Sequence, residues 1–191
     1  MRQPSTSTRR TRRIYADEGS APDLGVDPSS QGEADPAVAA RNIVLRRLTR
    51  APQSRAQLAE ALAAKGIPED VITQVLDRMT EVGLVNDAEY TALYVRSRRA
   101  SRGLAPRVLA QELRAKGIDD ELIAAELGEI TPDEDRALAE SLVARKLHST
   151  AGLVPEARQR RLASMLIRKG FSPGMSFDIV RTALRQDEMF D

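Results

Sequence analysis

The chain has 191 residues, with 29 Lys and Arg against 28 Asp and Glu, a net charge of +1; bulk charge alone does not make it a polyanion binder. With no Cys and one His, disulfides, thiolate zinc sites and most nucleophilic triads are excluded. No run approaches the roughly 18 apolar residues of a membrane helix and the N-terminus has no apolar signal core, so the expected compartment is the cytoplasm.

Residues 1–34 are rich in Ser, Thr, Pro, Gly and Asp. They hold too few large apolar side chains to offset chain entropy by burial and are expected to form a disordered tail. Its charge is basic first (Arg2, Arg9, Arg10, Arg12, Arg13) and acidic after (Asp17, Glu18, Asp23, Asp27, Glu33). From Asp35 onward the period is helical. Aromatics are 3% and Trp is absent, so Leu, Ala, Val and Ile must build the core. Helix starts are predicted at Asp35-Pro36, at Asn86-Asp87 and at Thr131-Pro132, where Glu134 completes a capping box.

Each of these helices precedes one copy of a repeated phrase: "LAEALAAKGIPEDVI", "LAQELRAKGIDDELI" and "LASMLIRKGFSPGMSFDIV". The leucine pairs Leu58/Leu62, Leu109/Leu113 and Leu162/Leu166 mark one helical stripe. Gly66, Gly117 and Gly170 then stand where a helix stop needs a left-handed residue, with Ile or Phe next to pack back on the helix end. The phrase is a helical hairpin, and with its preceding helix it makes a three-helix unit. The predicted fold is all-α: three tandem units over 35–85, 86–130 and 131–191, forming an elongated, curved, right-handed-type array in which each unit buries a face on the next. The third phrase is expected to carry three or four extra residues in its turn.

The first phrase, through Val85, is also similar to a winged-helix transcription factor, whose second helix enters the major groove. Against this, "NDAEYTALYVRSRRA" follows with helix period where a β-hairpin should stand, and the candidate reading helix sets Arg78 against Glu69, Asp70, Asp77 and Glu81. Such a helix is repelled by phosphates.

The near-neutral total hides signed blocks. Residues 95–118 hold seven cations against Glu112 alone, 119–140 nine carboxylates against Arg136 alone, and 141–185 nine cations against two anions. On the helix from Asp87, Tyr90, Leu93, Tyr94 and Ser97 share one arc, and Arg96, Arg98, Arg99 and Arg102 lie opposite. On the next, Arg107, Gln111 and Arg114 form a stripe away from Leu109 and Leu113. These arginines, with Lys116, are the candidate contacts to an acidic protein surface or DNA phosphate, unless they pair with the acidic block. Arg158, Arg161 and Arg168 form a secondary basic face. Catalysis finds no support: His148 sits at a helix end, the glycines of "AKG" and "RKG" are helix stops, and no metal or cofactor is expected.

The run from Ser54 to Ile123 resembles the RecX family of bacterial recombination regulators. The first Lys-Gly-Ile hairpin, the junction Gly83-Leu84-Val85-Asn86-Asp87, Tyr90, "YVRSR", Gly103, Glu112-Leu113 and "AKGIDDELI" occur in that order, and "RKGFS…FDIVRTAL" fits the family's last hairpin. The resemblance covers about 36–188 and implies three tandem three-helix repeats. It also implies a protein that binds the RecA recombinase as a filament on single-stranded DNA; a non-enzymatic monomer is expected. Such a protein most often inhibits the filament's ATP hydrolysis, growth and strand exchange in recombination, repair and the SOS response. Weak non-specific DNA contact is compatible with that role.

Overall fold

A computed structural model describes residues 35–188; the expected tail over 1–34 lies outside them. Among the described residues there are nine α-helices, one short 3-10 helix (His148–Thr150) and no strand. They form three groups of three: α1 (Pro36–Arg50), α2 (Arg55–Ala63) and α3 (Glu69–Glu81); α4 (Asp87–Arg102), α5 (Pro106–Arg114) and α6 (Asp120–Gly128); α7 (Pro132–Leu147), α8 (Pro155–Arg168) and α9 (Pro173–Glu188). Within each group every helix packs on the other two. The residues that a winged helix would need for its β-hairpin are α4, so the winged-helix alternative does not describe this fold.

Local chemistry sets the helix ends. The Asp35 carboxylate accepts from the Ala37 N–H at 2.9 Å, and the Asn86 side-chain oxygen accepts from the Glu89 N–H at 3.1 Å. Thr131 and Glu134 form the expected reciprocal capping box, and Ser54 with Gln57 forms a second one at α2; each satisfies donors that the first helical turn leaves open. The repeated glycines stop α2, α5 and α8 with one bond pattern. The Gly66, Gly117 and Gly170 N–H groups donate to Ala63, Arg114 and Ile167 carbonyls, and the next residues, Ile67, Ile118 and Phe171, donate to the second leucine of each pair, Leu62, Leu113 and Leu166. This double closure requires a left-handed residue.

The expectation of extra residues in the third turn is corrected. All three hairpins run glycine, one apolar residue, one N-cap, helix; in the third, Ser172 is the cap, its Oγ accepting from the Met175 N–H at 3.3 Å. The added residues lengthen the helix instead: α9 has 16 residues, against 13 for α3 and 9 for α6.

The repeats stack as expected: each centres on its own apolar cluster, and Ala105 of repeat 2 is part of the cluster of repeat 3. Repeat 1 closes around Val44, Leu58, Leu62 and Leu76, repeat 2 around Leu109, Leu113 and Ile123, and repeat 3 around Leu162, Leu166, Phe171 and Val180. Neighbours meet at small joints built on the hairpin stops. A Cβ on Gly117 would overlap the Cβ of Ala56 in α2. Beside it, the fully buried Ser54 Oγ donates to the Lys116 carbonyl at 2.6 Å, and Asp87 Oδ1 accepts from the Arg55 N–H at 2.8 Å. The second joint repeats the plan one unit on: a Cβ on Gly170 would lie 2.8 Å from Val108 Cγ2 in α5, and the Ala105 N–H donates to the Lys169 carbonyl at 2.9 Å. Gly66, with no repeat before it, faces open space.

The three stops should therefore differ in cost. Gly66→Ala should lose about 1 kcal/mol, the left-handed penalty alone. Gly117→Ala adds overpacking against Ala56 and should lose about 2–4 kcal/mol in urea unfolding; equal losses at the two positions would refute the joint.

Candidate functional site

The signed blocks meet around α4, whose buried side differs from the one the periodicity predicts. Thr91 and Val95 are buried with Tyr90, while Leu93 is 38% exposed and Ser97 lies in solvent. Helix α4 packs on α6 and α5, and near its C-terminal end it also reaches the start of α7. Arg99 consequently turns inward, pairing with Asp135 of α7 at 2.8 Å with both side chains only 16% exposed.

Tyr94 anchors the rest. Its ring stacks on Tyr90 with centroids 5.9 Å apart. Arg98 lies over the Tyr94 ring at 4.8 Å and Lys116 at 5.3 Å, both within cation–π range. The Tyr94 hydroxyl donates to Glu112 Oε2 at 2.7 Å, and Arg98 reaches the same oxygen at 3.5 Å. Burial, then this bond to Glu112, raises the Tyr94 pKa above its ordinary value, so the phenol stays neutral. Glu112, the lone carboxylate of its block, thus ties α4 to α5.

The other sequence-selected cations divide. Arg114 pairs with Asp120 at 2.6 Å, and Arg102 lies 4.0 Å from Glu112. Arg96 and Arg107 are exposed and have no carboxylate within 4 Å among the described residues. On α8, Arg158 leaves the secondary face: it pairs with Asp187 at 2.5 Å and donates to Thr150 and the Leu147 carbonyl. Arg161 and Arg168 remain exposed.

Two features escaped the sequence reading. Helix α1 carries Arg41, Arg46, Arg47 and Arg50, all exposed and none ion-paired among the described residues; a count of like charge over 36–50 would have found them. Beside it, Val38, Val82, Leu84 and Leu93 are exposed and line two adjoining grooves that share Leu84. Clustered exposed apolar side chains of this kind favour a protein partner. Among the described residues no three His, Cys, Asp or Glu are placed to hold a metal, and no helix is long and apolar enough to cross a membrane.

Tyr94→Phe, which strands Glu112 without its phenol donor, should lower unfolding free energy by about 1 kcal/mol. Arg96→Ser and Arg107→Ser should each stay within about 0.5 kcal/mol; a larger loss at either would mean that it is part of the scaffold.

Three family models match in series: the first three-helix domain of RecX over 40–79, the second over 86–127 and the third over 133–184. Regulatory protein RecX of Streptomyces coelicolor is 46% identical over 89% of this chain and 93% of its own. That of Thermobifida fusca is 47% identical over 78% of this chain and 80% of its own. The crystal structure of RecX from Lactobacillus salivarius superposes with a TM-score of 0.69 at 24% identity, covering 82% of this chain and 99% of that one. Matched along all three repeats by family models and along most of its length by close relatives, the chain belongs to the RecX family.

Proposed function

We propose that the protein is a non-enzymatic cytoplasmic regulator that binds the RecA recombinase, as a filament on single-stranded DNA, and restrains its ATPase, growth and strand exchange. The observation that carries this reading is family membership over the whole three-repeat array, among relatives named as regulatory proteins. The physical layout supports it. Three stacked units offer successive surfaces at repeat spacing, which suits a partner that is itself a repeating polymer.

Within the basic face, roles follow from placement. Arg96 and Arg107 are the contacting arginines, with Arg102, Arg114 and Lys116 on their border. Arg98 and Arg99 act by holding α4 against α5 and α7. The grooves of Val38, Val82, Leu84 and Leu93 supply apolar contact to the same partner, and electrostatic complementarity sets its approach.

RecA's single-strand-dependent ATP hydrolysis should fall when the protein is added at stoichiometric ratio or below. An unchanged rate at excess protein would overturn the proposal, and sequence-specific duplex binding without RecA would replace it with a direct DNA-binding role. Arg96→Glu with Arg107→Glu should raise the concentration needed for half-inhibition by about 3- to 10-fold, less at high salt, with helicity unchanged.

A further inference from the structure

The chain has four lysines, and three of them, Lys65, Lys116 and Lys169, stand immediately before the glycine stops of the three repeats. Equivalent in sequence, they differ in surroundings. Lys65 is exposed, and Lys116 lies over the Tyr94 ring at 5.3 Å. Lys169 instead lines a recess of about 590 Å³ between α4, α7 and the end of α8. Its amine donates to the Arg102 carbonyl at the end of α4, which fixes the nitrogen at the wall of that recess. Arg102, Arg145 and Lys146 line the same space over a floor that includes Leu104 and Met165, and no carboxylate does. Arg102 lies 4.0 Å from Glu112. Arg145 and Lys146 are exposed and have no carboxylate within 4 Å among the described residues.

This placement changes what the amine can do. Burial first, and then Arg145 and Arg102, hold its pKa below the ordinary lysine value. More of it is therefore neutral, and nucleophilic, near neutral pH than a free lysine would be. Arg145 and Lys146 offer unpaired donors to a phosphate in the same recess. A neutral amine beside unpaired cations, over an apolar floor, fits an electrophile that carries its own phosphate.

We propose that Lys169 is a modification site that takes the acyl group of a small acyl phosphate bound in this recess. Arg145 and Lys146 hold the phosphate, and the acyl chain lies on Leu104 and Met165. The Lys169 nitrogen attacks the acyl carbon. An N–C bond forms, the C–O bond to phosphate breaks with its electron pair, and the proton lost by nitrogen leaves on the phosphate. The products are an acylated lysine and inorganic phosphate, so no further reactant is needed. Paired cations at the leaving group stabilise the charge that develops there. The new amide keeps one N–H for the Arg102 carbonyl, while the recess loses one positive charge. Acylation thus relieves the crowding of like charge without opening the contact between α4 and the end of α8.

The test uses the full chain with acetyl phosphate and no RecA, so its outcome is independent of the RecA reading. Peptide mass spectrometry over time reads occupancy at all four lysines. Lys169 should be acetylated at least about tenfold faster than Lys65, and its rate should rise at lower pH than that of free Nα-acetyl-lysine. Inorganic phosphate should slow Lys169 and leave Lys65 unchanged. Arg145→Gln/Lys146→Gln should lower the Lys169 rate about tenfold with acetyl phosphate. With the uncharged ester p-nitrophenyl acetate the same variant should lose no more than about threefold, because only the amine's own reactivity is then at stake. Even modification of the four lysines, or fastest reaction at Lys65, would overturn the proposal. Equal losses with the two reagents, or no protection by phosphate, would overturn the part assigned to Arg145 and Lys146. Phosphate protection is read on the parent chain, so it decides the matter even if the variant melts early.

Discussion

Everything in this array hangs on one backbone constraint. At Gly66, Gly117 and Gly170 the chain takes φ of +76°, +72° and +99°, a region that side-chain-bearing residues avoid. The left-handed step ends one helix, returns two N–H groups to its last carbonyls, and delivers an apolar residue to the core. At Gly117 and Gly170 the missing Cβ has a second use, since the preceding repeat occupies its place. One residue therefore sets both the hairpin inside a repeat and the distance to the repeat before it. The outer glycine, Gly66, keeps the first use and lacks the second.

Each repeat centres on its own apolar cluster, with Ala105 of repeat 2 joining that of repeat 3, and much of the charge goes into holding the repeats in order. Arg99 and Asp135 link repeat 2 to repeat 3; Asp87 reaches back to the Arg55 amide; Glu112 collects Tyr94, Arg98 and, more distantly, Arg102. Exposed pairs contribute little to stability. The half-buried ones orient helices, because a desolvated charge left without its partner costs more than the pair gains. What is left after this internal pairing is informative about partners: Arg96 and Arg107 on one face, the arginines of α1, and the unpaired cations at the junction of repeats 2 and 3.

Charge density along the sequence located the arginine-rich helices but not which of their arginines are paired. Arg98 and Arg99 looked as free as Arg96, since a helical wheel assumes one buried face. Helix α4 has neighbours on two sides, so its buried arc is shifted onto Thr91 and Val95, and two of its arginines face protein. Arg158 was lost from its basic face for the same reason, when α9 brought Asp187 beside it. Arg161 and Arg168 were already legible as a basic face, but that Arg102 of α4 lies near Lys146 of α7 and Lys169 after α8 was not, because these helices are tens of residues apart.

Helix starts, the three glycine stops, the count of repeats and the family were written locally. Caps, left-handed residues and apolar spacing act within a turn or two of chain, so reading residues in order recovers them. Tertiary structure decided which cations are spent on carboxylates and where adjacent repeats touch. Those outcomes depend on the distance between residues such as Ser54 and Lys116, or Arg99 and Asp135. Such distances exist only after the helices have packed.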